Sequence, residues 1–356
     1  MTTVSVKVPT RIDLAGGTID LWPIHSLMDK ASTVNFGISI YQSASLTLNH
    51  ASMDIVVVSD DLDQSFSTNY QNIKQGSELA LIRALIAEFW SEKLPGFSLT
   101  TSCQSPAGAG LGGSSCLSIA IASALIEARG IARGEQIKVD ERKLVETVQN
   151  VEARIITAPT GCQDYWGGVR GRVNILDFPN SGLEIETFHD DTLKDLLDKR
   201  LIVAFSGKSR KSAMNNWQIF KNVFDGDEKT LKMLSEIGRL GFEVGQKLRA
   251  GDVMAGLAYS LKEWEVRKKL WAGIESKETQ ALDHAARGSG AMFSRVCGAG
   301  GGGVMAFFSE ESKREAVKKA INNAGGVVMD AVIASQGVEV SIKKSKRQES
   351  AVGQYV

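Results

Sequence analysis

The chain has 356 residues, with 41 Lys plus Arg against 41 Asp plus Glu and a formal net charge of zero. That length exceeds what one hydrophobic core usually serves, so two domains are expected. The charge balance supplies no broad attraction to nucleic acid or to an anionic membrane, and neither is expected as a partner.

Val4 to Val8 alternates apolar and polar like a strand, and Ile38 to Leu48 and Met53 to Val58 follow the same pattern, so the first 60 residues read as sheet-rich. Ser77 to Leu94 reads as a helix whose apolar face carries Leu79, Leu81, Ile82, Leu85, Ile86 and Phe89. Phe97, Leu99, Thr100 and Thr101 form a strand-like run, and Leu117 to Arg129 is a breaker-free run that reads as helix. Asp140 to Ile156 is a second amphipathic helix, followed by a turn at Gly167 and Gly168 and a strand from Val173 to Leu176. Beyond the strand Leu201 to Phe205 come helices at Glu228 to Ala250, Val253 to Leu270 and Ser276 to Arg287. The order closes with strands Met292 to Cys297 and Val304 to Phe308, helix Ser312 to Ala324, and strands Gly325 to Ala331 and Gly337 to Ile342. This succession predicts an α+β chain with domains at 1–199 and 200–345 and a polar tail at 346–356.

Cys103, Cys116, Cys162 and Cys297 are far apart, with no C-x-x-C and no nearby His pair, which argues against a zinc site and a disulfide framework. The N-terminus lacks a basic-then-apolar signal and no stretch approaches about 18 uninterrupted apolar residues, so a cytoplasmic protein is expected.

Between the strand-like run ending near Thr101 and the helix-like run from Leu117 lies the segment Pro106 to Leu117, with Gly108, Gly110, Gly112, Gly113, Ser114 and Ser115. A helix N-terminus presents unpaired N–H groups and about half a positive charge, so the segment is suited to holding phosphate. Glycines let the backbone close on an anion, and Ser114 or Ser115 offers a hydroxyl to an accompanying cation. Gly108, Gly110 and Gly113 also satisfy G-x-G-x-x-G, but the dinucleotide fingerprint expects a second strand ending in an acid about 20 residues on, where this sequence is still helical. Ser206 to Ser209 resembles the end of a Walker A loop, yet Ile202 stands where its first glycine belongs.

Three further clusters carry candidate chemistry. Pro9 to Asp20 runs a strand into Gly16 and Gly17, flanked by Arg11, Asp13, Thr18 and Asp20, which reads either as a site for close backbone approach or as a tight turn with a salt bridge. Gly298 to Gly303 has five glycines in six residues between apolar runs. Glycine weakens a strand there unless something must come close. Glu152 and Asp164 stand twelve residues apart, the first late on a helix and the second after Thr160, Gly161 and Cys162.

Together these parts resemble the GHMP kinase superfamily over nearly the whole chain. The pattern P-x-x-x-G-L-G-S-S-A is similar to Pro106 to Ser115, with Pro106, Gly110, Leu111 and Gly112 in register and Gly113 in place of the first serine. Cys297 to Gly303 resembles the family's third motif, and the Arg11 to Asp20 run resembles its sugar-kinase branches of heptose-phosphate-kinase and fucokinase type. The resemblance implies an N-terminal domain like ribosomal protein S5 domain 2, a ferredoxin-like C-terminal domain, and a site between them. It implies ATP along Pro106, Gly108, Ala109, Gly110, Leu111, Gly112, Gly113, Ser114 and Ser115, with Mg²⁺ on Ser114 and Glu152. Asp164 is expected to orient or deprotonate a sugar hydroxyl, with Arg11 offsetting charge. Gly16, Gly17, Thr18, Asp20, Gly300 and Gly301 are expected around the sugar or sugar-phosphate substrate. A mevalonate-type kinase and a non-catalytic ATP-binding sensor are the alternatives, and the assembly expected is a monomer or homodimer. Tyr165 and Trp166 read equally as pocket wall or core. Lys208 and Arg210 are minor candidates for substrate contact, and His25, His50, His189 and His284 are single histidines without ligand spacing.

Overall fold

The computed structural model describes residues 1–209 and 213–344, with side chains from 217 onward in the second stretch. Arg210 and the tail expected at 346–356 lie outside the described residues. The first sheet has eight strands, beginning with β1 (Thr2–Ala15) and β2 (Ser32–Asn49), which pair antiparallel along most of their length. β3 (Asp54–Ser59) and β4 (Gln64–Asn69) form a hairpin at its far edge, α1 (Ala80–Phe89) follows, and β5 (Gly96–Cys103) inserts between β2 and β3. The first helix is shorter than the apolar pattern suggested, because Leu79 takes a left-handed conformation with φ of 51° and starts the helix only at Ala80.

The helices α2 (Gly113–Arg133), α3 (Glu141–Ile156) and α4 (Gln163–Arg170) cover this sheet, and β6 (Val173–Asp177) with β7 (Glu184–Phe188) branches from β2. By length and composition α2 could cross a membrane, but it is the central core helix here, with Ile119, Ile121 and Leu125 free of solvent. The turn expected at Gly167 and Gly168 is instead the middle of α4. Glycine in a helix costs about 1 kcal/mol relative to alanine. Close packing explains it: a Cβ on Gly167 would stand 2.7 Å from Arg11 Cβ, and one on Gly168 would stand 2.8 Å from Val8 Cγ1.

After α5 (Asp191–Asp198), β8 (Leu201–Phe205) begins the second sheet. Helices α6 (Ala213–Phe224), α7 (Glu228–Arg249), α8 (Val253–Arg267) and α9 (Lys277–Gly288) separate it from β9 (Ala291–Val296), β10 (Val304–Ser309), α10 (Arg314–Asn323) and β11 (Val327–Met329). The strand order β11-β8-β10-β9, with helices α9 and α10 packed on it, is the ferredoxin-like arrangement. β12 (Glu339–Lys344) does not belong there, although the 200–345 boundary assigned it to the second domain. It pairs antiparallel with β1, Thr2 opposite Lys344, because its register satisfies the open edge of the first sheet.

The two units meet along the second half of β1. Val4 and Val6 alternate with solvent-facing neighbours, but every residue from Val8 to Ala15 is buried, which is why periodicity alone ended the strand at Val8. At this junction Asp13 is fully buried. Its Oδ2 accepts from Arg267 at 3.0 Å and Arg295 at 3.1 Å, and its Oδ1 accepts from the Gly298 N–H at 2.9 Å. Glu263, also fully buried, accepts from Arg295 at 3.0 Å and from the Gly16 N–H at 3.1 Å. Arg267 returns a bond to the Gly298 carbonyl at 2.9 Å.

Burial opposes the charged form of Asp13, yet Arg295, Arg267 and Arg11 outweigh it and hold its carboxyl well below the usual range. Asp13→Asn leaves these arginines short of one charge and is expected to cost about 3–5 kcal/mol at neutral pH. Because the folded value lies below the unfolded one, this stabilisation is in place above the unfolded Asp value of about 4 and drains away as pH falls below it. Urea denaturation across that range checks both points: wild type should converge on the variant in acid, and equal stabilities at neutral pH would contradict the assignment.

Candidate active site

A cavity of about 930 Å³ follows the segment from Cys103 to Ser115. Thr18, Asp20, Glu152, Asp164 and Gly298 converge on it, and Leu62, Leu79, Ile82, Ile155 and Ile156 form an apolar wall.

The loop's shape follows from its carbonyls. Ala109 O accepts from Val304 N at 2.7 Å, Gly110 O from Arg11 Nη1 at 2.7 Å, Leu111 O from Arg11 N at 3.0 Å and Gly112 O from Cys116 N at 2.9 Å. Gly108, Gly110 and Gly112 carry positive φ values of 70°, 81° and 71°, so alternate peptide planes turn over. That alternation builds an anion-binding concavity of backbone N–H groups, here at the N-terminus of the 21-residue α2. Gly303 supports it from the second unit, since a Cβ there would meet Ala109 O at 2.4 Å.

Asp164 stands at the end of this loop on the first turn of α4, against Gly112, where a Cβ would come within 3.0 Å of the Asp164 Cβ. Arg11 donates through Nε at 2.8 Å and Nη2 at 2.5 Å, both to Oδ1. The Asp164 side chain is 28% exposed and its partner 3%. Burial works against the Arg11 charge, but Asp164 and Asp13 outweigh it and hold its pKa above the ordinary guanidinium value.

Glu152 is buried on α3 beside the N-terminus of α2. Its Oε2 accepts from Ser115 Oγ at 2.9 Å and Tyr165 Oη at 2.7 Å. Burial raises its pKa against hydrogen bonds from Tyr165, Ser114 and Ser115. Ser115 is thus buried and committed to Glu152, whereas Ser114 is exposed at the cavity mouth. Among the described residues no three His, Cys, Asp or Glu side chains gather as a metal cluster. The donor set of hydroxyl and carboxylate oxygens fits a hard divalent cation that is shared with phosphate, since such a cation takes one or two carboxylates and keeps its remaining positions for water and phosphate.

Thr18 also lines the cavity, with φ of 79°, a conformation rare for a β-branched residue and commonest where function demands it. Asp20 Oδ2 accepts from the Gln163 N–H at 3.0 Å, and Gly161 leaves room for it, since a Cβ there would lie 2.0 Å from Oδ2. Burial pushes the Asp20 carboxyl up to about 6.

Several expected residues are engaged elsewhere. Gly16 packs on Ser32 O and Gly17 on the Arg267 guanidinium, where no side chain fits. Gly298 and Ala299 line the cavity, whereas Gly300 packs on Ile274 and the Gly301 N–H donates to Ile274 O at 2.8 Å. Close packing accounts for Gly16, Gly17 and Gly300, and Gly301 has a positive φ of 89° that favours glycine. Tyr165 and Trp166 are buried in the core, Lys208 pairs with Glu278 at 3.4 Å, and no histidine lines the cavity. The Tyr165 hydroxyl, Gln163, Arg267 and Arg295 went unrecognised. A buried Arg on a strand of Phe293 and Val296 was the one signal available.

Residues 78–172 match the family described as GHMP kinases N terminal domain. The chain is similar to D-glycero-alpha-D-manno-heptose 7-phosphate kinase of Campylobacter jejuni, 25% identical over 95% of this chain and 99% of that one. It is also similar to mevalonate kinase of Pyrococcus furiosus, 23% identical over 77% of this chain and 78% of that one. Among solved structures, the D-glycero-D-manno-heptose 1-phosphate kinase from Bacteroides thetaiotaomicron has a TM-score of 0.75 and 22% identity, covering 96% of this chain and all of that one.

The raised Asp20 carboxyl makes a stability prediction. Its folded value of about 6 lies above the unfolded one, so its ionisation costs stability as pH rises from about 4 through about 6. Asp20→Asn should therefore melt higher than wild type at pH 8, by on the order of 1–3 kcal/mol, with the gap closing below about pH 4. Thermal melts at the two pH values check this, and a variant less stable at pH 8 would refute it.

Proposed function

We propose that this chain, which carries the N-terminal domain of the GHMP kinases at residues 78–172, is an ATP-dependent kinase acting on a hydroxyl of a sugar or sugar phosphate. The observation that carries the reading is one cavity that holds a backbone loop suited to an anion, the Arg11–Asp164 pair set against that loop, and the buried Asp20. The nucleotide phosphates lie along Pro106 to Ser115, and the apolar wall of Leu62, Leu79 and Ile156 takes the base. Ser114 and Glu152 would hold Mg²⁺, which supplies charge neutralisation to the phosphates when bound.

The chain's own residues do the rest by positioning and electrostatics. Both Arg11 bonds fall on Asp164 Oδ1, leaving Oδ2 to accept the proton of the attacking hydroxyl. Arg11 ties Gly110 O and Leu111 O on the far side, so the loop's N–H groups keep their direction as phosphate charge shifts. Thr18 and the buried Asp20 fix a polyhydroxylated acceptor, because a carboxylate accepts from hydroxyl groups and leaves an analogue lacking them with a buried group unpaired. That supports a heptose-phosphate-like or fucose- or galactose-like acceptor over mevalonate, as does the greater extent of similarity to the heptose phosphate kinase. Four free cysteines fit a cytoplasmic setting.

Asp164→Asn should lower kcat by about 10² to 10⁴-fold with the KM for ATP little changed. Steady-state assays of wild type against heptose phosphates, fucose, galactose and mevalonate test the class of acceptor. Transfer to mevalonate alone would overturn the sugar reading, and nucleotide binding without transfer to any alcohol would favour a sensor.

A further inference from the structure

The inward positions of β2 are Ile38, Ile40, Gln42, Ala44, Leu46 and Leu48, so a single amide interrupts an apolar series. Gln42 is fully buried yet lines the cavity. Its Nε2 donates to Ser105 Oγ at 2.8 Å, while its Oε1 has no hydrogen-bond partner. A buried amide oxygen left without a donor is expensive, and natural sites that keep one usually have a use for it.

Gly113, the first residue of α2, faces this pair. A Cβ built on it would lie 2.8 Å from Ser105 Oγ and 3.5 Å from Gln42 Nε2. The bare backbone at 113 is therefore what lets the Ser105 hydroxyl reach the helix N-terminus, where the similar family motif has a serine. A hydroxyl has one proton and two lone pairs. By accepting from Gln42, Ser105 keeps its proton for a further acceptor.

We propose that Gln42 and Ser105 form a phosphate-recognition pair of this site: Ser105 donates to a nucleotide phosphate oxygen at the start of α2, and Gln42 is the positioning residue that aims it. The occupant must bring an acceptor for Ser105 and a donor for Gln42 Oε1. A phosphate accompanied by a hydrated divalent cation brings both, the second as a cation-bound water. The pair rests on the nucleotide reading above.

Calorimetric titration of wild type, Ser105→Ala, Gln42→Leu and the Ser105→Ala/Gly113→Ser double variant with Mg-ADP and with adenosine tests it. Ser105→Ala should weaken Mg-ADP about tenfold or more, as expected for a lost hydrogen bond to a charged group, and leave adenosine unchanged. Gln42→Leu should produce the same selective loss, and Gly113→Ser should restore Mg-ADP binding to Ser105→Ala by returning a hydroxyl from the helix side. Ser105 is only half-buried, so its variant carries the test even if Gln42→Leu fails to fold. Unchanged Mg-ADP binding in Ser105→Ala, or equal loss for adenosine, overturns the pair alone. Wild type that fails to bind Mg-ADP overturns the nucleotide reading and the pair with it.

Discussion

Asp13 sits without solvent contact among three guanidinium groups, and the geometry of the junction follows from keeping that carboxylate paired. Asp13, Glu263 and Asp164 face Arg11, Arg267 and Arg295, so the cluster is balanced in charge. Removing such ions from water costs several kcal/mol each, and close, hydrogen-bonded pairing is what repays it. The residues come from β1, α8, β9 and α4, and the bond from the Gly298 N–H to Asp13 adds the glycine run. A shift of any of these elements would strand a charge, so the cluster acts as a register for the two units. Arg11 belongs to it on one side and grips Asp164 on the other, which ties the position of the Asp164 carboxylate to the junction itself.

The anion site owes more to occupied carbonyls than to basic side chains. Four successive carbonyls, Ala109 to Gly112, are taken from behind by Val304, Arg11 and Cys116. Their fixed direction preorganises the N–H groups of the loop. Arg11 contributes twice, through its backbone N–H and its guanidinium, whose charge is taken up by Asp164 and Asp13. On the proposed reading, a chain with zero net charge holds phosphate here through backbone dipoles.

Much of this was legible in the residues, for identifiable reasons. The loop shows itself by its glycines before a helix, whereas Glu152, Asp164 and Arg11 stand out only through the family resemblance, and the structure brings all of them to one cavity. Helices with clear amphipathic faces and capping residues, such as Asp140 before α3 and Asp252 before α8, declared themselves as well. What failed was whatever depends on contact between distant segments. Gly167 and Gly168 looked like a turn because their reason, the approach of β1, lies more than 150 residues away in sequence. Likewise nothing local singles out Glu263, Arg267 and Arg295, since only the fold places Asp13 among them. Motif membership suggests substrate contacts for the glycines at 16, 17 and 300, whereas their missing side chains make room for protein.

The pairing of β12 with β1 has a consequence for how the molecule is made. Thr2 and Lys344 are opposite one another, so the edge of the first sheet is closed by almost the last residues described. During synthesis β1 must wait with one edge unpaired while the whole second unit emerges, and closing a loop of that length costs entropy that no local contact offsets. An open strand edge is a template for pairing with another chain. The exposed Lys7 on β1 is the kind of guard that keeps such an edge from pairing wrongly during that interval.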